Sequence, residues 1–277
     1  MTIKKFKPIR SPIKWAGGKY RLRKQIVDLI PEHTCYVELF CGASWVLFGK
    51  PPSQVEVIND IDGELINFFR IVKKSPGRFI KSFKFDLVAR EVFENLVSQD
   101  PSKLSDIQRA HRFYYIIMAG WGGELSNPRI QTSISDGGHG NRLVGALKKL
   151  ELRIFPIHKR LKTVIIENLD WKDCAKRYNS KNTVMYIDPP YLNNGVNYLN
   201  NMRGIAEHTE LAKWLKKSKA KWILSAYDND ETRKLYPEKD FYYHLVQSYS
   251  GMKKKKRGKK RVVNKEVIIT NFVPPKT

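Results

Sequence analysis

Two hydrophobic periodicities alternate along the first part of the chain. Tyr36–Phe40 and Val55–Ile58 are short apolar runs that read as strands, the second ending on Asn59 and Asp60. A turn at Cys41–Ser44 and a short helix candidate over Trp45–Phe48 lie between them. From Asp62 to Val72 the spacing of Leu65, Ile66, Phe69 and Val72 puts all four on one face and predicts a helix. Strand-like runs return at Thr163–Ile166, Thr183–Ile187, Trp222–Ser225 and Glu266–Phe272. Such alternation predicts an α/β protein with a parallel-type sheet covered by helices.

The middle has another character. Between about Lys73 and Leu161 the segments are helical and rich in Phe, Tyr and Arg, as in His111-Arg112-Phe113-Tyr114-Tyr115. The Gly, Ser and Asn-rich stretch Gly120–Asn141 is too long for an ordinary connection and is expected to be a functional loop. The predicted architecture is a sheet interrupted by a mostly helical insertion.

Charge narrows the partners. The chain carries 51 Lys and Arg against 27 Asp and Glu, a net charge of +24. An excess of that size points to a polyanion or a membrane surface. In the densest run, Lys253–Arg261, eight of nine residues are basic. With Gly258 among unbroken lysines the run has no apolar face for a membrane, so a loop that tracks phosphates fits better. No apolar run approaches the roughly 20 residues of a membrane span, and no leader is visible, so a cytoplasmic protein without membrane association is expected. Cys35, Cys41 and Cys174 form no CxxC pair, which argues against a disulfide framework and a cysteine zinc site.

Three segments carry candidate chemistry. Glu38, Phe40 and Gly42 belong to a strand and turn of the kind that approaches a nucleotide at the carboxyl end of a strand, and Asp60 lies 18 residues beyond Gly42, where an acid can bond ribose hydroxyls. The turn lacks GxGxxG, which disfavours a dinucleotide. Lys14-Trp15-Ala16-Gly17-Gly18-Lys19 is not a P-loop, because Ile13 and Tyr20 stand where Gly and Ser or Thr are required. Met185–Tyr191 is the sharpest: a strand ending in Asp188, then Pro189 and Pro190, then Tyr191. That corner offers acceptors to an exocyclic amino group and a ring on which a planar base can stack.

Taken together these segments resemble the D12-class, Dam-like adenine-N6 DNA methyltransferases, which use S-adenosylmethionine. The resemblance runs through Lys14–Lys19, Glu38–Gly42, Asn59-Asp60, Asn168–Trp171, Asp188–Tyr191 and Glu266–Phe272. It implies a Rossmann-like class I methyltransferase sheet formed by residues 1–72 and 162–277, with residues 73–161 as an inserted, mostly helical target-recognition region. It also implies a cofactor site of Trp15, Lys19, Glu38, Phe40, Gly42, Asp60, Asp170, Trp171 and Asp188, with the methionine end near Trp15 and Lys19 and the adenine near Asp170 and Trp171. Asp188, Pro189, Pro190 and Tyr191 are the expected catalytic set, and no metal is expected. Ser44 departs from the family, which often has a second glycine there.

In this reading Asp188 and the Pro189 carbonyl accept the two N–H bonds of adenine N6, Tyr191 stacks on the flipped base, and the methyl transfers directly. Double-stranded DNA is the expected partner. A cognate restriction endonuclease is a further one that the resemblance admits, and a monomer is expected because one strand is modified at a time. Cytosine-N4 or RNA methylation, or an inactive DNA-binding relic of the fold, are the alternatives left open. Arg112, Arg129 and Arg142 are candidates to reach guanine edges, or else to contact phosphates.

Overall fold

Seven strands join in one sheet. In chain order they are β1 (Cys35–Glu38), β2 (Val55–Asn59), β3 (Ile165–Glu167), β4 (Thr183–Ile187), β5 (Lys221–Tyr227), β6 (Tyr242–Tyr249) and β7 (Val263–Thr270). Across the sheet they lie in the order β3-β2-β1-β4-β5-β7-β6. This computed structural model describes residues 6–123, 125, 127–131, 142–191, 202, 204–249 and 263–275. Among them are ten helices: α1 (Arg23–Asp28), α2 (Gly63–Lys74), α3 (Pro76–Lys81), α4 (Arg90–Ser98), α5 (Asp106–Ala119), α6 (Arg142–Leu147), α7 (Leu150–Leu161), α8 (Trp171–Arg177), α9 (Ile205–Lys216) and α10 (Asp230–Leu235). None is long and apolar enough to cross a membrane. Residues 132–141 of the predicted functional loop and the basic run Lys253–Arg261 lie outside the described residues.

The protein is mixed α/β, as the alternating pattern predicts. β3, β2, β1, β4 and β5 run parallel, whereas β7 is antiparallel to both its neighbours. The second residue of the period decides the face of each side chain. Tyr36, Ile58, Val184, Tyr186, Ile223 and Ile268 point into one hydrophobic cluster. Val37, Val57, Met185, Trp222, Leu224 and Val267 point into another on the opposite face. Burial on both faces is why Val184–Ile187 of β4 and Trp222–Leu224 of β5 read as continuous apolar runs.

Two elements differ from the expectation. Trp45–Phe48 does not form an α-helix; a single 3-10 turn at Leu47–Gly49 replaces it, and the Pro51-Pro52 pair that follows cannot extend a helix. β6 was not foreseen, because its Tyr242 and Leu245 are exposed and break the pattern of a buried strand.

α2 starts where Asp62 caps it, accepting hydrogen bonds from the Glu64 and Leu65 amides at 3.0 and 3.1 Å. Its predicted face is fully buried, and Phe68 joins it. Phe68 stacks on Tyr114 of α5 with ring centroids 5.8 Å apart and meets Phe79 of α3 edge-on at 5.6 Å. Helices α2, α5 and α7 therefore share one continuous core with the sheet.

A buried ion cluster ties α7 to the sheet. Arg160 of α7 donates to both oxygens of Glu56 on β2, one at 2.6 Å, and to the Leu47 carbonyl at 3.2 Å. Lys50 reaches the same carboxylate at 2.7 Å. Burial alone would push the Glu56 carboxyl up, but bonds from Arg160 and Lys50 outweigh it and hold the carboxyl below its ordinary range. Because Glu56 would be left short of a partner, Arg160→Ala should lower the unfolding free energy by about 3 kcal/mol. The shift in denaturant midpoint at unchanged m-value measures it.

Candidate active site

In the parallel part of the sheet β1 has β2 on one side and β4 on the other, so successive connections leave β1 in opposite directions. A crevice opens at the carboxyl edge beside such a switch point. The turn after β1, residues 60–62 after β2, residues 168–170 after β3 and the Asp188–Tyr191 corner after β4 all end there.

The turn after β1 is built from unusual backbone. Gly42 has φ 44° and Ser44 φ 49°. A Cβ on Gly42 would stand 2.8 Å from the indole of Trp15, so only glycine lets Trp15 lie against the turn. Gly18 is equally confined, at 2.8 Å from Trp45 Nε1. The Trp15–Lys19 segment and the Gly42–Trp45 turn thus interleave. Ser44 keeps the left-handed conformation without glycine's freedom, at a cost of about 1 kcal/mol.

Asp60 closes the turn from the next strand. Its carboxylate accepts the Gly42 amide at 3.0 Å and the Asp62 amide at 3.1 Å. Burial pushes the carboxyl up to about 6 against those bonds. Asn59 clips the neighbouring loops together: its amide donates to the Leu39 and Leu169 carbonyls at 3.0 and 3.1 Å, and its oxygen accepts the Leu169 amide at 2.9 Å. Asn168 donates to the Asp60 carbonyl at 2.8 Å. These bonds bring Asp170 to the crevice edge, where it is exposed and caps α8 through the Lys172 amide at 2.9 Å. Trp171 turns inward instead, buried with its ring 6.4 Å from that of Trp214. Phe40 is half-buried on the same core.

Glu38 lies beneath the turn, with 1% exposure. One oxygen accepts the Leu47 amide at 2.6 Å and the Tyr36 hydroxyl at 3.0 Å. It fixes the far end of the turn and does not face open space.

The corner after β4 holds the strongest electrostatics. Lys19 Nζ lies 2.8 Å from Asp188 Oδ1 and 3.0 Å from Oδ2, and donates to the Gly17 carbonyl at 2.9 Å. The same ammonium sits 4.7 Å from the centre of the Tyr191 ring. Burial pushes the Asp188 carboxyl up; Lys19 opposes it and Glu266 adds to it. Pro189 and Pro190 complete the turn, and the Tyr191 hydroxyl donates to Glu266 of β7 at 3.2 Å. Glu266 arrives there because it pairs with Tyr227 in the β5–β7 register. Tyr227 meets the Tyr191 ring edge-on at 4.6 Å. His208 of α9 reaches the Pro190 carbonyl at 3.0 Å.

The structure therefore joins Trp15, Lys19, Gly42, Asp60, Asp188, Pro189, Pro190 and Tyr191 in one crevice, sets Asp170 at its edge, and leaves Glu38 and Trp171 inside. Of the three arginines weighed as base readers or as surface arginines, Arg112 donates to the Leu96 and Val97 carbonyls at the end of α4, at 2.6 and 3.1 Å. Arg129 and Arg142 are exposed. Sequence reasoning missed His208, although it is the polar member of a buried stripe with Leu211, Ala212 and Leu215. The partnership of Glu266 with Tyr191 has no local signal, because it depends on strand register.

Glu38 gives a pH signature. Burial raises its carboxyl from 4.5 to about 7, against bonds from Leu47 and Tyr36. A raised carboxyl stabilises the fold fully below its unfolded value and loses that contribution as pH rises through its folded value. Glu38 alone should then cost about 3 kcal/mol of stability between pH 4.5 and 8. Glu38→Gln, which keeps an acceptor for Leu47, should show a smaller decline in unfolding free energy from pH 5 to pH 8.

Comparison with known proteins places this crevice in context. The chain is 26% identical over 282 residues to the type II methyltransferase M1.LlaDCHI of Lactococcus lactis subsp. cremoris, covering 95% of this chain and 96% of that one. It is 28% identical to the DNA adenine methylase of Haemophilus influenzae, over 89% of this chain and 90% of the relative. Type II methyltransferase M.CviBI of Paramecium bursaria Chlorella virus NC1A is 26% identical, over 86% and 88%. The family model for the D12 class of N6 adenine-specific DNA methyltransferases matches residues 15–252, a span that contains every crevice residue named above except Glu266. The chain belongs to that family.

Proposed function

We propose that the Asp188–Tyr191 corner is where this adenine-specific DNA methyltransferase takes the exocyclic amino group of a flipped-out adenine, with S-adenosylmethionine as the methyl donor. One observation carries the reading: a buried carboxylate, two donor-free prolines and an oriented aromatic ring converge on the carboxyl edge of β4.

The crevice residues fit the cofactor. Each oxygen of Asp60 holds one backbone amide and has a remaining lone pair for a ribose hydroxyl. Gly42 opens the turn, Trp15 walls it, and Asp170 is exposed at the start of α8. When bound, S-adenosylmethionine supplies a methyl group on a cationic sulfur. Everything else is positioning by the protein.

The amino nitrogen of adenine is a weak nucleophile because its lone pair is delocalised into the ring. The Asp188 carboxylate and the Pro189 carbonyl accept its two N–H bonds and draw the nitrogen toward tetrahedral geometry. Neither proline has an N–H to compete. Lys19 opposes the effect of burial on Asp188 and favours its carboxylate form, the form that accepts. As the new N–C bond forms, the nitrogen sheds a proton, and Asp188 is the nearest base. Tyr191, held at its hydroxyl by Glu266, offers its ring to the extruded base.

The same reading makes residues 1–72 and 162–277 a Rossmann-like class I methyltransferase core, and residues 73–161 an inserted target-recognition region. The sheet order and the helices between β2 and β3 support it. The net charge of +24 suits duplex DNA. The enzyme is read as a cytoplasmic monomer without a metal, and a cognate restriction endonuclease is a partner this reading admits without requiring.

The decisive experiment incubates the protein with S-adenosylmethionine and unmethylated DNA, then quantifies methylated nucleosides by mass spectrometry. Asp188→Ala should reduce N6-methyladenine formation by about 100-fold or more while cofactor binding persists; a rate within a few-fold of wild type would sink this role. Activity needs the ionised carboxylate, so kcat should fall on the acid side through a pKa above the ordinary aspartate range. Lys19→Met removes the opposing cation and should move that acid limb to higher pH.

A further inference from the structure

The backbone of the corner has very unequal freedom. The pyrrolidine rings fix φ at Pro189 and Pro190 near about −65°. Asp188 and Pro189 each precede a proline, which confines their ψ to the extended range. The rotation left open is ψ at Pro190. It sets the direction of the Pro190 carbonyl and the line on which Tyr191 leaves the corner.

His208 acts on that rotation. Its Nε2 lies 3.0 Å from the Pro190 carbonyl. The side chain is buried, on the α9 stripe otherwise made of Leu211, Ala212 and Leu215. An imidazole in such a place needs a hydrogen-bond partner, and the carbonyl is one. Burial lowers the imidazole's pKa, so the ring is neutral at pH 7 and carries one proton. Only the Nε2–H tautomer can donate to a carbonyl. The ring also lines a small recess behind the corner with Pro189, Tyr191, Ser225 and Tyr227.

We propose that His208 is a positioning residue for methyl transfer: its Nε2–H fixes the Pro190 ψ rotation that the prolines leave open, so that the Tyr191 ring is held in register with the Asp188 carboxylate and the Pro189 carbonyl ahead of it. This rests on the reading of Asp188–Tyr191 as the amino-group site. The role is one of positioning, exerted through the Pro190 carbonyl.

The test compares His208→Leu, which fills the recess without a donor, with His208→Gln, whose amide can donate. His208→Leu should lower kcat by about 10- to 100-fold with the S-adenosylmethionine Kd unchanged, and His208→Gln should recover most of that loss. A His208→Leu enzyme that folds and keeps kcat within twofold overturns the proposal, as does equal impairment of both variants. If His208→Leu does not fold, the tautomer decides. Nitrogen-15 NMR of the wild-type protein at pH 7 should show His208 with its proton on Nε2, and a proton on Nδ1 overturns the proposal. Asp188→Ala, assayed in parallel, separates the two ideas. Wild-type-like activity there removes the reading of the corner itself, whereas an inactive Asp188→Ala beside a fully active His208→Leu removes only the role of His208.

Discussion

The ion pair between Lys19 and Asp188 joins residues 169 positions apart and organises everything around it. A carboxylate at the end of a buried strand would take up a proton if left alone, because burial penalises its charge. Lys19 is the cation that opposes this. To deliver it, the segment before α1 must cross the carboxyl edge of the sheet, bend at Gly17 and Gly18, and press Trp15 onto the turn at Gly42. The close fit of two glycines against two indoles follows from where one ammonium has to be.

Charge is segregated by sign in this protein. The chain as a whole has a net charge of +24, yet the crevice is lined by Asp60, Asp188 and Glu266, with Glu38 beneath it. Burial raises the carboxyls of Glu38, Asp60 and Asp188. Lys19 is the cation set among these acids, paired with Asp188 at 2.8 Å.

Much of this was legible from the sequence, and the reasons are physical. β1, β2, β4 and β5 lie between two packed layers, so each is mostly apolar, and the acids Glu38 and Glu56 within them are buried and bonded. The face of α2 follows directly from the spacing of Leu65, Ile66, Phe69 and Val72. Asp188–Tyr191 was recognisable because two prolines and an acid at a strand end have few structural uses together. What stayed hidden depends on contacts distant in sequence. β6 is half-exposed, so its pattern is weak. Glu38 and Trp171 were expected at the cofactor but lie inside, because neighbours in sequence at a strand end or helix start can face opposite ways. Arg112 could not be told from a surface or groove-reading arginine by its sequence, because its partners are two carbonyls of α4. Glu266 acquires its partner only through the antiparallel register of β7.

The continuous core beneath α2, α5 and α7 has a consequence for how this protein can change over evolutionary time. A recognition region with its own core could be exchanged between relatives as a cassette. Here Phe68, Phe79 and Tyr114 interlock across the boundary, and Arg160 is bound to a β-strand carboxylate from the far side. Grafting residues 73–161 from another sequence would require the sheet-side aromatics and Glu56 to be rebuilt at the same time. Residues 73–161 can therefore change only in concert with the sheet on which they pack.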